Sequence, residues 1–124
     1  MKLTTNFNLS EFNKHGFVIS DTVFQNIFAL AKNLQVLRDE VGKPIKITSG
    51  YRSPEHNAKV GGVKSSKHIT GEAADFKIAG MTPKEVAAVI EKLIAAGKME
   101  EGGIGIYSTW VHYDHRNTKA RWSK

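Results

Sequence analysis

Between Val23 and Val41 the apolar residues Val23, Ile27, Leu30, Leu34, Leu37 and Val41 recur at alternating steps of four and three, which is one face of a long helix turned toward a core. Ser20 or Asp21 is placed to cap its start. Gly42 supplies a left-handed stop and Pro44 bars continuation, so the helix is expected to end near Val41 and to hand the chain directly to Ile45-Lys46-Ile47-Thr48, a short alternating strand. A long amphipathic helix feeding a short strand cannot stand alone: its apolar stripe requires a sheet to cover.

The rest of the chain supplies that sheet. Ser53-Pro54 reads as a helix start with proline at the first helical position, and Gly61-Gly62 ends that short helix. Ala74, Phe76 and Ile78 alternate with Asp75, which turns the carboxylate away from the core. Thr82-Pro83-Lys84-Glu85 is a capping box, followed by a stripe of Val86, Val89, Ile90, Leu93 and Ile94 that stops at Gly97. Gly103 to Tyr107 and Trp110 to Asp114 read as two strands around a turn at Ser108 and Thr109. The opening segment from Phe7 to Phe17 shows no sustained period and is expected to be a covering strand or loop. These elements do not alternate regularly enough for a doubly wound fold. The expectation is α+β: one domain over residues 1–124, a small antiparallel sheet, and the two long helices packed on one of its faces.

The chemistry gathers in Ser49 to Asp75, SGYRSPEHNAKVGGVKSSKHITGEAAD. Ser66, His68, Gly71, Ala73 and Asp75 spell S-x-H-x-x-G-x-A-x-D. An imidazole and a carboxylate are both ordinary zinc ligands, and their spacing suits a loop followed by a strand, with small Gly71 and Ala73 letting the backbone pass close to an ion. A third ligand has to come from elsewhere. Trp110-Val111-His112-Tyr113-Asp114-His115 is the natural supplier, since a strand period of two puts Trp110, His112 and Asp114 on one face and Tyr113 on the other.

The ordered set SGYRSPEHN, Gly61-Gly62, SKHITGEAAD, GGIGIY and VHYD, running from about Phe7 to Trp122, resembles the D-Ala-D-Ala carboxypeptidase family of zinc metallopeptidases. That family includes peptidoglycan endopeptidases and phage endolysins, and the branch most similar here ends in H-x-D. The resemblance implies a hedgehog/DD-peptidase-like fold, a Zn²⁺ ion held by His68, Asp75 and His112, and hydrolysis of a peptide bond by water activated on the metal. It also implies that Arg52 lies beside the metal and stabilises the developing oxyanion. Many relatives carry a Glu or Asp three residues before the last ligand as general base. Here that position is Thr109, which cannot serve. Asp114 is then the candidate base by its shared strand face with His112, with His115 and Glu72 in reserve, and the exchanged assignment of Asp114 to zinc and His112 to the base stays open. Ser66 is a candidate substrate contact or a local backbone cap, and Trp110 a candidate wall of the substrate cleft or a packing residue. His15 and His56 have no evident role.

Composition narrows the setting. The chain has no cysteine, which excludes disulfides and thiolate zinc sites and leaves His and carboxylate as the strong ligands. A net charge of +6 calls for an anionic partner. No reading helix, zinc finger or stacking motif points to nucleic acid, so a carboxylate- and phosphate-bearing cell wall is the expected target. Nothing in the sequence suggests membrane insertion, and the chain is expected to act as a monomer. Met1 to Ser10 lacks the apolar core of a signal peptide, which suggests synthesis in the cytoplasm and favours a phage lysin that reaches the wall of its host. The tail from His115 to Lys124 carries four basic residues and no acid and is expected to be a solvated end. The rival to an enzyme is a zinc-bearing wall-binding module without turnover.

Overall fold

The computed structural model describes residues 1–124. A small hairpin of β1 (Lys2–Thr4) and β2 (Phe7–Asn8) leads into a single helical turn, α1 (Leu9–Phe12). The opening segment therefore does more than cover. Phe7 and Phe12 pack ring to ring at 5.7 Å and both are fully buried, which nails the hairpin to the core.

Helix α2 (Asp21–Val41) follows with Ser20 as its cap, the hydroxyl accepting from the Val23 amide, and it stops at Gly42 in the left-handed conformation. Strand β3 (Ile45–Ser49), helix α3 (Pro54–Lys59) and strand β4 (Ala73–Ile78) come next. Helix α4 (Pro83–Ala95) starts in a complete capping box, with Thr82 and Glu85 each bonding the other's backbone amide. Strands β5 (Gly103–Ile106), β6 (Val111–Asp114) and β7 (Ala120–Ser123) close the chain.

The five strands lie in the order β3-β4-β6-β5-β7, antiparallel apart from the last pair, β5 and β7, which run parallel. The tail thus differs from the expected solvated end. Arg121 pulls it onto the sheet, bonding Glu91 on α4 and Glu101 before β5 at 2.8–2.9 Å, and also the Gly102 carbonyl at 2.6 Å. Charge counting missed this because the acids that neutralise the tail lie far away in sequence.

Alternation divides the sheet into two faces. Ala74, Phe76 and Ile78 of β4, Ile104 of β5, and Val111 and Tyr113 of β6 meet Ile27, Leu30, Leu34 and Leu37 of α2 and Val86, Ile90 and Leu93 of α4 in one continuous core. At roughly 1.5–3 kcal/mol for each fully buried large apolar side chain, this face holds the fold together. Tyr113 is the one polar intruder, and its hydroxyl donates to the Glu100 carbonyl at 2.7 Å. The opposite face carries Asp75, His112 and Asp114, with Asp75 directly across from His112.

Candidate metal centre and cleft

On that second face β5 reads Gly103-Ile104-Gly105-Ile106, isoleucine and glycine alternating. The glycines make room. A Cβ at Gly103 would meet the Asp114 carboxylate at 2.4 Å, and one at Gly105 would meet the Trp122 indole at 2.4 Å. The strand's small side is thus fitted to a carboxylate and an indole that belong to the site. Gly105→Ala is expected to cost about 1–3 kcal/mol, the usual scale of overpacking, and to move Trp122 off the sheet. A red shift of tryptophan emission together with a lowered thermal midpoint would register it; an unchanged spectrum would mean that Trp122 is held by other contacts.

His68, Asp75 and His112 come together, each offering one ligand atom, with those atoms all within 4.8 Å of one another. His68 leads out of the loop after α3, with Nδ1 donating to the Gly50 carbonyl at 2.8 Å, which leaves Nε2 facing Asp75 Oδ1 at 3.4 Å. His112 is oriented the other way round. Its Nδ1 faces Asp75 Oδ1 at 3.1 Å while its Nε2 donates to Asp114 Oδ2 at 2.7 Å. Two imidazole nitrogens and one carboxylate oxygen converge, and each imidazole is fixed by an acceptor behind it.

The electrostatics follow from this packing. Burial by itself would raise the Asp75 carboxyl, yet hydrogen bonds from His112 and then His68 hold it far below the usual carboxylate range. Burial likewise works against Asp114 as an anion, and the Arg116 guanidinium and His112 overcome it, again holding the carboxyl well down. For His112 burial favours the neutral ring, but the flanking carboxylates, Asp114 first, raise its pKa.

This donor set fits zinc. The ion takes His nitrogen and carboxylate oxygen readily, and three protein ligands leave a position open to water or substrate. The backing of each histidine, by the Gly50 carbonyl and by the Asp114 carboxylate, is the outer shell that sets tautomer and ring orientation in such sites.

Asp114 itself differs from the sequence expectation. It does share a strand face with His112, but it is 0% exposed and lies on the far side of that ring from Asp75 and His68. Its oxygens are already engaged by the amides of Gly103 and Arg116 and by the Arg116 guanidinium at 2.7–2.8 Å. A carboxylate so enclosed is placed to orient His112 and is poorly placed to take a proton in the cleft. The exchanged assignment, Asp114 on the metal, meets the same obstacle. The reserves lie elsewhere too: His115 Nε2 bonds the Asn26 carbonyl and Glu72 accepts from the Thr70 hydroxyl. Gly71 also departs from its expected purpose, since it is packed against the Val23 carbonyl of α2 rather than against the cluster.

Arg52 stands beside the three, 3.6 Å from Asp75 Oδ2. Its guanidinium is steadied by Ser49 Oγ at 3.3 Å and by Asn57 Oδ1 at 3.2 Å. Asn57 is a contributor that residue-type reasoning overlooked: it is buried, and its amide also donates to the Val63 carbonyl, tying the loop to the arginine. The signal was present in the SGYRSPEHN run, where Asn57 is the residue after His56. Ser66 lines the cleft, and its hydroxyl accepts from the His68 amide at 3.2 Å, a local cap.

The cleft in front of the cluster has a volume near 570 Å³. Trp110 lines it from just before β6, stacked on Tyr107 with ring centroids 4.6 Å apart and planes at 9°. The Tyr107 hydroxyl accepts from Trp122 Nε1 at 3.0 Å, and the Trp122 ring lies 5.0 Å from His112. Tyr107 and Trp122 were not legible as wall residues, because Trp122 reaches the site only through the unforeseen pairing of β7. Arg52, Lys67, Arg116 and Lys124 also line the cleft, where Asp75 is the only acidic side chain.

Comparison with known proteins now gives this arrangement a lineage. A family model described as peptidase M15 matches residues 5–114. The probable peptidoglycan L,D-endopeptidase MepK of Haemophilus influenzae is 34% identical over 99 residues, covering 74% of this chain and 48% of its own length. The zinc D-Ala-D-Ala carboxypeptidase of Streptomyces albus G is 36% identical over 78 residues, 57% of this chain and 31% of that protein. The peptidoglycan L,D-endopeptidase MepK of Escherichia coli K12 is 37% identical over 79 residues, 58% of this chain and 40% of that protein. The matched regions span less than half the length of each of these relatives. With the family model covering nearly the whole chain, and the fold and metal-ligand cluster in agreement with it, this chain belongs to the peptidase M15 family.

Proposed function

We propose that this chain is a zinc peptidase that hydrolyses peptide bonds in bacterial peptidoglycan, with His68 Nε2, His112 Nδ1 and an Asp75 oxygen as the metal ligands. The observation that carries this reading is the convergence of those three ligand atoms beside Arg52 in an open, cationic cleft. A zinc ion bound there would supply Lewis acidity and lower the pKa of water toward neutrality. The protein's own groups do the rest. Arg52, held by Ser49 and Asn57, keeps a positive charge fixed where the carbonyl oxygen of the scissile bond becomes an oxyanion, so little reorganisation is needed as charge develops. Asp114 and Gly50 hold the two imidazoles in the tautomers that turn a lone pair to the ion. Trp110, Tyr107 and Trp122 offer an apolar wall for the substrate, and Ser66 acts mainly by shaping the His68 loop.

The cationic lining favours a substrate rich in carboxylates, which peptidoglycan stem peptides are. Attack on the intact wall, of the kind a lysin performs on its host, belongs to the same proposal. Purified protein supplied with zinc is expected to release peptide fragments from isolated wall and to clear suspensions of permeabilised cells. Chelation should stop both and added zinc restore both. Full turnover after zinc removal verified by elemental analysis would overturn the mechanism, and binding to wall without turnover would favour a non-catalytic module.

A further inference from the structure

The outer face of the sheet continues past the metal ligands. The alternation along β4 that turns Asp75 away from the helices turns Lys77 the same way, and on β3 it does so for Lys46 and Thr48. Lys46 and Lys77 are Cα partners in the register of the two strands, so two ammonium groups stand side by side on one face. Both are exposed, and none of the protein's ion pairs involves either. Like charges directly opposite destabilise a strand pair, so the fold gains nothing from this arrangement. Lys14 adds a third charge at the free edge of β3, where its ammonium donates to the Ile47 carbonyl. Neutralising groups are missing nearby. From Lys43 to Arg52 and from Phe76 to Lys84 the sequence has no acid, Glu85 is engaged in the α4 capping box, and Asp75 is already held by His68, His112 and Arg52.

We propose that the outer face of β3 and β4 is an exosite for a phosphodiester-linked polyanion of the wall, which holds the enzyme on its target while the cleft works on the peptide. The proposal rests on the wall-peptidase reading above and adds a second binding surface to it. The chemistry of the face selects the occupant. It exposes lysine and threonine and no aromatic or large apolar side chain, so it has nothing to insert into a lipid surface and nothing on which a base could stack. A lone carboxylate is best held by the forked guanidinium of arginine, and neither strand carries one. Lysine binds phosphate as a point charge, and a row of such charges on an open strand pair suits a repeating anionic backbone. Lys77 lies two residues beyond Asp75 on the same face, so the row starts beside the metal ligands and leads away from them. Neither Lys46 nor Lys77 lines the cleft, and a polymer lying on them leaves it free.

Sedimentation of the zinc-loaded protein with isolated wall tests this, using wall that carries its phosphodiester polymer and the same wall stripped of it by hydrofluoric acid. The double substitution Lys46→Gln with Lys77→Gln is expected to weaken binding to intact wall about tenfold at low salt, the scale on which fixed surface charge concentrates an opposite partner. Binding to stripped wall should not change. Added salt should erase the difference between the two proteins, since the contact is exposed and screened. Lys32→Gln with Lys98→Gln removes the same charge from the helix side of the sheet and should bind like the wild type. Equal loss in both double variants would reduce the effect to net charge and overturn the exosite, as would wild-type binding that ignores the polymer. Hydrolysis of a soluble stem peptide should be the same in the wild type and the Lys46 and Lys77 variant, with a thermal midpoint no lower. A fall in kcat on that peptide would tie the lysines to the cleft, and a lowered midpoint would make them structural; either refutes the proposal. Absence of hydrolysis by every form would sink the peptidase reading and leave the binding comparison standing. Loss of affinity for duplex DNA without loss for wall would assign the face to nucleic acid and overturn the wall polymer as its partner.

Discussion

His112→Ala is expected to lose zinc and turnover together, with hydrolysis of wall peptides falling to background. Two remaining protein ligands, His68 and Asp75, seldom hold a catalytic zinc against water, and the metal's contribution to folding free energy disappears with it. The fold should survive. Asp114 keeps both Arg116 contacts at 2.7–2.8 Å when the imidazole is removed, so no uncompensated carboxylate is left in the interior. The wild-type protein should therefore gain thermal stability on adding zinc, by mass action on the folded state, while the variant shows no such gain. Elemental analysis and paired melting curves with and without zinc read this directly. A variant that retained one tightly bound zinc per chain would show that His112 is not a ligand.

Much of this site was legible because its parts lie on regular elements. Asp75 sits in a strand whose Ala74, Phe76 and Ile78 had to face the helices, and that alternation alone sent the carboxylate to the other side. The α2 stripe and the Thr82 capping box fixed the two helices in the same way, since each signal is complete within a few turns of chain. What escaped notice depends on partners far apart in sequence. Strand β7 is held by Arg121 to Glu91 and Glu101, pairs separated by 30 and 20 positions, and a run of basic residues read by itself points to solvent. With β7 unplaced, Trp122 could not be seen as a wall. The H-x-D pair shows a different limit. Period two correctly set His112 and Asp114 on one face, but the outcome turned on which imidazole nitrogen meets which carboxylate, and that is decided by β4 on one side and by Gly103 and Arg116 on the other.

Asp114→Asn separates an orienting carboxylate from a general base. Every neighbour of the Asp114 oxygens is a donor: the Gly103 and Arg116 amides, the Arg116 guanidinium and His112 Nε2. Asparagine brings an NH₂ into this ring of donors, so one contact must fail or reverse. If the amide nitrogen takes the place of Oδ2, the His112 proton is driven from Nε2 to Nδ1, the atom facing Asp75, and the lone pair meant for zinc is lost. Turning the amide over sets its nitrogen against Gly103 and Arg116 instead, which loosens the same strand ends. The expected result is zinc affinity weakened by about 10- to 100-fold, the usual effect of removing a partner behind a ligand, with turnover largely recovered once zinc is saturating. A general base would behave in the opposite way. Zinc would bind as in the wild type while turnover stayed down by about 10²- to 10⁴-fold at any zinc concentration, and that pattern would return Asp114 to the proton-transfer step despite its burial.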